Sequence, residues 1–223
     1  MQRKVCKMTK ICIFDLDGTL LDTLDNIGGN MNRTLADFDL APFAREDYRY
    51  FVGNGSRRLT ECALEARGKL TPDFFEEFYP HFMTYYAASP DEGVRVYDGI
   101  PALLSALKER GVRVAVCTNK PNAAAQGSIA RFFPGGTFDD IIGAVDGMPL
   151  KPSPHGVLTL LEKYGFSPDE AAFIGDSDVD MMTAKAASTR GFGALWGFRT
   201  AEELAAAGAT ALLSYPTDLL NHI

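Results

Sequence analysis

The chain has 223 residues, and 22 basic against 29 acidic side chains leave a formal charge of −7. With 46% hydrophobic and 23% charged residues it can fill a real core, which excludes a disordered chain. No apolar run approaches the roughly 20 residues of a membrane span, and the acidic balance speaks against a general nucleic-acid binder, though not against an anionic substrate met through a metal ion.

In chain order, Met1–Met8 is basic with no long apolar stretch behind it, so it reads as a frayed tail, with Met8 a candidate natural start. Cys6, Cys12, Cys62 and Cys117 have no metal-site spacing and read as reduced thiols of a cytoplasmic protein. Ile11–Phe14 is a short apolar strand running into a turn. Residues 22–90 then show helical periodicity and no buried strand. Leu24, Ile27, Met31, Leu35 and Phe38 share one helix face, Arg57–Ala66 forms a second helix, and an aromatic stripe from Phe74 to Tyr86 marks a third. After this insert, a helix over Ile100–Arg110 closes at Gly111 and the strand Val112–Cys117 follows. Strands at Ala171–Ile174, Phe192–Trp196 and Ala211–Leu213 alternate with helices at about 121–132, 154–164, 178–187 and 200–207. Such alternation predicts an α/β fold, a doubly wound parallel sheet with a Rossmann-like core. The expected division is a core of residues 1–21 and 91–223, with a helical cap of residues 22–90 as a lid over the carboxyl ends of the strands.

Four short motifs fall where these strands end or shortly after: Asp15-Leu-Asp17-Gly18-Thr-Leu20, Cys117-Thr118-Asn119-Lys120, Lys151-Pro-Ser-Pro154 and Gly175-Asp176-Ser-Asp-Val-Asp180. Two carboxylates two residues apart on a turn can aim one side chain and one carbonyl at the same cation. Gly18 permits a tight turn and close approach to an anion. Asp176 supplies a further acidic ligand of the kind Mg²⁺ takes, Lys151 a fixed positive charge, and Thr118 a hydroxyl at the expected start of a helix.

These motifs, in this order, resemble the haloacid dehalogenase superfamily of phosphohydrolases over essentially the whole chain from Lys10. The resemblance implies a nucleophile at Asp15 that becomes an aspartyl-phosphate, and a general acid/base at Asp17 whose carbonyl also binds Mg²⁺. It implies phosphate binding by Gly18, Thr118, Asn119 and Lys151, a metal ligand at Asp176, and an orienting acid at Asp180. Asp17 predicts chemistry on a phosphate ester or anhydride, because the dehalogenases and phosphonatases lack an acid there.

The insert resembles the helical type of cap, and Phe51-Val-Gly-Asn-Gly-Ser56 and Thr118-Asn-Lys-Pro121 resemble bacterial phosphoglycolate phosphatases. Asn54, Gly55, Ser56 and Arg57 are the candidate contacts for a small substrate carboxylate. The expected partner is a small phosphate ester, 2-phosphoglycolate first, with neither nucleic acid nor membrane. A phosphatase of a sugar phosphate, nucleotide or pyrophosphate, a phosphosugar mutase, and a catalytically dead scaffold are the alternatives. Two stretches depart from the pattern. Ala187-Ser188 stands where the family ends its helix with Ala-Gly, and Phe132–Thr137 is unlike the usual linker.

Overall fold

The computed structural model describes residues 8–89 and 91–223, so the tail Met1–Lys7 with Cys6 lies outside it. The chain starts with β1 (Ile11–Phe14), then the two-residue β2 (Leu21–Asp22) and four helices: α1 (Leu24–Asp37), α2 (Tyr48–Phe51), α3 (Gly55–Ala66) and α4 (Pro72–Ala88). It returns through β3 (Arg95–Val96) to α5 (Ile100–Glu109), β4 (Arg113–Pro121), α6 (Asn122–Phe132), β5 (Asp140–Ala144) and α7 (His155–Tyr164). The remaining elements are β6 (Ala171–Gly175), α8 (Asp178–Ala186), β7 (Arg190–Ala194), α9 (Ala201–Ala206) and β8 (Ala211–Leu213).

Six parallel strands form the sheet in the order β5-β4-β1-β6-β7-β8. Every residue of β1 is buried, because helices cover both faces of a parallel sheet. Its alternation divides the core in two. Cys12 and Phe14 pack with Leu103, Leu107 and Ile129, whereas Ile11 and Ile13 pack with Val157, Leu160 and Ala184. Burial pushes the Cys12 thiol up to about 12 and the Cys117 thiol to about 11, so both act as apolar filler.

The insert builds a further hydrophobic cluster, which Phe198 of the core joins. Leu24, Ile27, Met31 and Leu35 of α1 meet Phe75, Phe78, Phe82 and Tyr86 of α4, so most of the aromatic stripe is core. At its entry and exit, β2 and β3 pair antiparallel, with Leu21 opposite Val96. Asp22 is buried there and bridges Arg95 at 2.8 Å and Arg45 at 3.4 Å.

Three local features go beyond or depart from the sequence pattern. The strand β5 is absent from the sequence reading because it is a half-buried edge strand with weak alternation. Its pairing carries β4 on to Pro121, so Thr118 lies within a strand and not at a helix start. Registers Cys117–Ile142 and Pro121–Ala144 bracket an irregularity in which β4 spends more residues than β5. Finally, Ser188 takes the left-handed conformation, φ 59°, that glycine ordinarily supplies, and its amide donates to the Lys185 carbonyl to end α8.

Candidate active site

Neighbouring parallel strands end at one edge, and β1 lies between β4 and β6, so their following residues converge. Asp15 leaves β1, Asp176 leaves β6, and Lys151 arrives from the loop before α7. Lys151 Nζ lies 2.9 Å from Asp15 Oδ1 and 2.6 Å from Asp180 Oδ1. All three side chains are nearly inaccessible. Burial opposes the charge on Lys151, but Asp15 and Asp180 outweigh it and hold its pKa above the ordinary lysine range.

Asp180 is fully committed. Its second oxygen accepts from the Asp176 amide at 3.1 Å, the Ser177 amide at 3.0 Å and the Ser177 hydroxyl at 2.6 Å. It fixes both Lys151 and the turn that carries Asp176.

Asp176 accepts from the Thr19 hydroxyl at 2.9 Å and the Phe198 amide at 2.9 Å. Burial first, then neighbouring Asp180 and Asp15, push its pKa up to about 8. Burial likewise raises Asp15 to about 6, although Lys151 counteracts it. Oxygens of Asp15, Asp176 and Asp180 lie within 4.8 Å of one another. A buried, oxygen-only set with two acids that resist ionisation is suited to a hard divalent cation.

Gly18 has a different part from the one expected. Its amide donates to the Leu21 carbonyl at 2.8 Å, so it serves the turn and not a phosphate. Its φ is 84°, and a Cβ there would stand 2.3 Å from Asp176 Oδ2. Glycine is required because the two motifs touch at that point.

The irregular end of β4 presents three consecutive residues to the site, as such irregularities do elsewhere by re-aiming side chains. Thr118 borders the same cavity as Asp15 and Asp17, and its hydroxyl accepts from the Lys120 amide at 3.2 Å. Asn119 Nδ2 donates to the carbonyls of Lys151 and of Gly53 in the insert, both at 3.0 Å, and its Oδ1 accepts from the Lys151 amide at 2.8 Å. Asn119 thus ties three segments together through its side chain. Gly143 of β5 allows this close packing, since a Cβ there would lie 2.6 Å from Asn122 Cα.

Of the four insert residues singled out, Gly55 and Ser56 line the cavity. Asn54 is exposed and outside the lining. Arg57 is turned away: it pairs with Glu76 at 3.2 Å and lies over the rings of Phe75 and Tyr79. The expectation that Arg57 meets substrate is therefore corrected. Packing on two aromatic faces and an exposed carboxylate hold it on the outer surface.

Two further cations are buried near the site. Lys120 Nζ is 2.8 Å from Asp17 Oδ1, and Asp17 and Tyr86 outweigh burial to raise its pKa. Arg199 reaches the backbone of the insert. Lys120 stood inside a quoted motif, whereas Arg199 had no local signal at all.

The chain matches the model of the haloacid dehalogenase-like hydrolase family over residues 12–194. It is 37% identical over 213 residues to the phosphoglycolate phosphatase of Rhodospirillum rubrum, covering 92% of this chain and 87% of that one. It is 33% identical over 218 residues to the phosphoglycolate phosphatase of Aquifex aeolicus, covering 96% and 98%. Among solved structures, it resembles a predicted phosphoglycolate phosphatase from Haemophilus somnus with TM-score 0.88 and 29% identity, over 97% and 98% of the two chains. A predicted phosphatase from Clostridium acetobutylicum gives TM-score 0.85 and 27% identity, over 97% and 98%. With the motifs in order along the chain and gathered at one sheet edge, this protein belongs to the haloacid dehalogenase-like hydrolase family.

Proposed function

We propose that the chain is a phosphatase of small phosphomonoesters, with 2-phosphoglycolate as its preferred substrate. The observation that carries the reading is the Asp15–Lys151–Asp180 chain of contacts, at 2.9 and 2.6 Å, beside Asp176 and with Asp17 at the cavity. Relatives at 32–38% identity bearing the name phosphoglycolate phosphatase support the substrate.

In this reading an Asp15 oxygen attacks phosphorus while the bond to the ester oxygen breaks. Asp17 delivers a proton to that leaving oxygen. Asp17 then takes a proton from water as the water attacks the acyl-phosphate, which returns Asp15 and releases phosphate. Lys151 and the Thr118 hydroxyl stabilise charge on the transferring group. Mg²⁺ would be held by the Asp15 and Asp176 carboxylates and the Asp17 carbonyl. When bound it supplies charge neutralisation between the phosphate and the acids. The insert covers the cavity and excludes bulk water.

The test is a panel of phosphate esters, including 2-phosphoglycolate, with and without Mg²⁺. Metal-dependent release of phosphate is expected, with 2-phosphoglycolate the best substrate, and Asp15→Asn should abolish it. Full activity in Asp15→Asn would remove the nucleophile, and no turnover on any ester would remove the phosphatase reading.

A further inference from the structure

The cavity between the insert and the sheet is chemically one-sided. On the insert side Ile27, Val52, Leu59 and Phe82 are apolar, and the Ser56 hydroxyl is already bonded to the Tyr79 hydroxyl at 2.8 Å. On the sheet side stand the acids Asp15 and Asp17. A substrate bearing a second anion beside its phosphate would lose hydration there and meet carboxylates, so it needs a cation in the wall.

Among the described residues, Lys120 is the basic side chain that lines this cavity. Arg57 and Arg58 are on the outer surface, occupied by Glu76 and by Glu61 and Glu65. Lys151 is taken by Asp15 and Asp180. Lys120 is held with its side chain 5% exposed, between Asp17 at 2.8 Å and the Tyr86 ring at 5.1 Å. An ammonium has three donors; Asp17 takes one and the Tyr86 hydroxyl engages a second, which leaves one for a ligand. Asp17 and Tyr86 also fix where the ammonium sits, so little side-chain entropy remains to be lost on binding.

We infer that Lys120 is the specificity-determining contact for a carboxylate on the substrate, so that the cavity takes small phosphomonoesters with an acid group close to the ester oxygen. This rests on the phosphatase reading above and deepens it. Lys151 serves the phosphoryl group and Lys120 the acid group, one lysine for each anion. An ester of equal size with a hydroxyl in place of the carboxylate offers Lys120 an acceptor without charge, so it gains no ion pair from it. A hydrogen bond to a charged group corresponds to a preference of about 10- to 100-fold.

The experiment compares kcat/KM for 2-phosphoglycolate and for 2-hydroxyethyl phosphate, which differ by carboxylate against hydroxymethyl. Both are measured on the wild-type enzyme, Lys120→Met and Lys120→Arg. Wild type should favour phosphoglycolate. Lys120→Met should cut that preference by about 10- to 100-fold, chiefly through KM for phosphoglycolate, and Lys120→Arg should restore part of it. If Lys120→Met does not fold, Lys120→Gln, which keeps a donor but no charge, must show the same loss. Equal losses on both substrates would mean that Lys120 acts through Asp17 alone, and would overturn the inference while leaving the substrate reading intact. A preference that survives in the variant would overturn it equally. A wild-type enzyme that hydrolyses both esters equally well would overturn the carboxylate contact and the phosphoglycolate reading together, while its turnover upholds the phosphatase.

Discussion

Arg49 of the insert and Arg199 of the core each hold the backbone of the segment that carries the other. Arg49 donates to the carbonyls of Gly197 and Phe198, each at 2.9 Å, while Arg199 donates to the carbonyls of Arg49 and of Val52. The Phe198 amide in turn donates to Asp176. One loop therefore anchors both the insert and an acid of the site. Arg199→Ala leaves two carbonyls without their donor, at a cost of about 2–3 kcal/mol. Turnover should fall about tenfold, and limited proteolysis should cut faster near residues 48–56. Unchanged proteolysis with unchanged kcat would show that the latch does not govern closure.

The Lys151–Asp180 contact predicts an effect on stability that denaturation can read without an assay of turnover. Asp180→Ala takes from the buried Lys151 ammonium the nearer of its two carboxylates and removes the acceptor of two amides and a hydroxyl. Breaking such a buried pair costs about 3–5 kcal/mol. Urea denaturation should register it at neutral pH, and a variant as stable as wild type would exclude the bridge as a structural element.

If Asp15 and Asp176 hold the metal as proposed, its binding should depend on pH. Both have folded pKa values raised above 3.8, to about 6 and about 8. The folded protein therefore binds these protons more tightly than the unfolded chain does. In metal-free protein their contribution to stability is complete below the unfolded value and is lost as pH rises through about 6 and then about 8. A dication that binds the ionised acids should reverse that loss. The rise in Tm on adding Mg²⁺ should be larger at pH 8 than at pH 5, by scanning calorimetry, and Asp176→Asn should flatten the difference. An increment independent of pH would disprove the coupling.

Ser188 offers a gain. It is exposed and held at φ 59°, where a Cβ is strained and glycine is not. Ser188→Gly should stabilise the fold by roughly 0.5–1 kcal/mol, after the greater freedom of glycine in the unfolded chain is deducted. The midpoint of urea unfolding measures it, and activity should be retained.

Much of this architecture was legible from local pattern. Ile11–Phe14 and Ala171–Ile174 are strands buried on both faces, so unbroken apolar runs announced them. The helical insert was legible because 3.6-residue periodicity follows from one buried face. The order of the acids and Lys151 along the chain carried the resemblance to the family, and the fold brings them to one edge of the sheet. The edge strand β5 was not legible, because half-exposed residues carry little alternation, and with it went the irregular end of β4 that aims Thr118, Asn119 and Lys120.

The sequence by itself determined which residue types were present for the chemistry and in what order, because backbone propensity and burial act over a few residues. Tertiary structure decided which of them face one cavity. Lys120 turns inward because Asp17 waits 103 residues away, and Arg57 turns outward because Glu76 and two aromatic rings hold it. Arg199 seals the insert through carbonyls some 150 positions earlier. Side-chain direction is set by partners across the fold, and no local pattern encodes them.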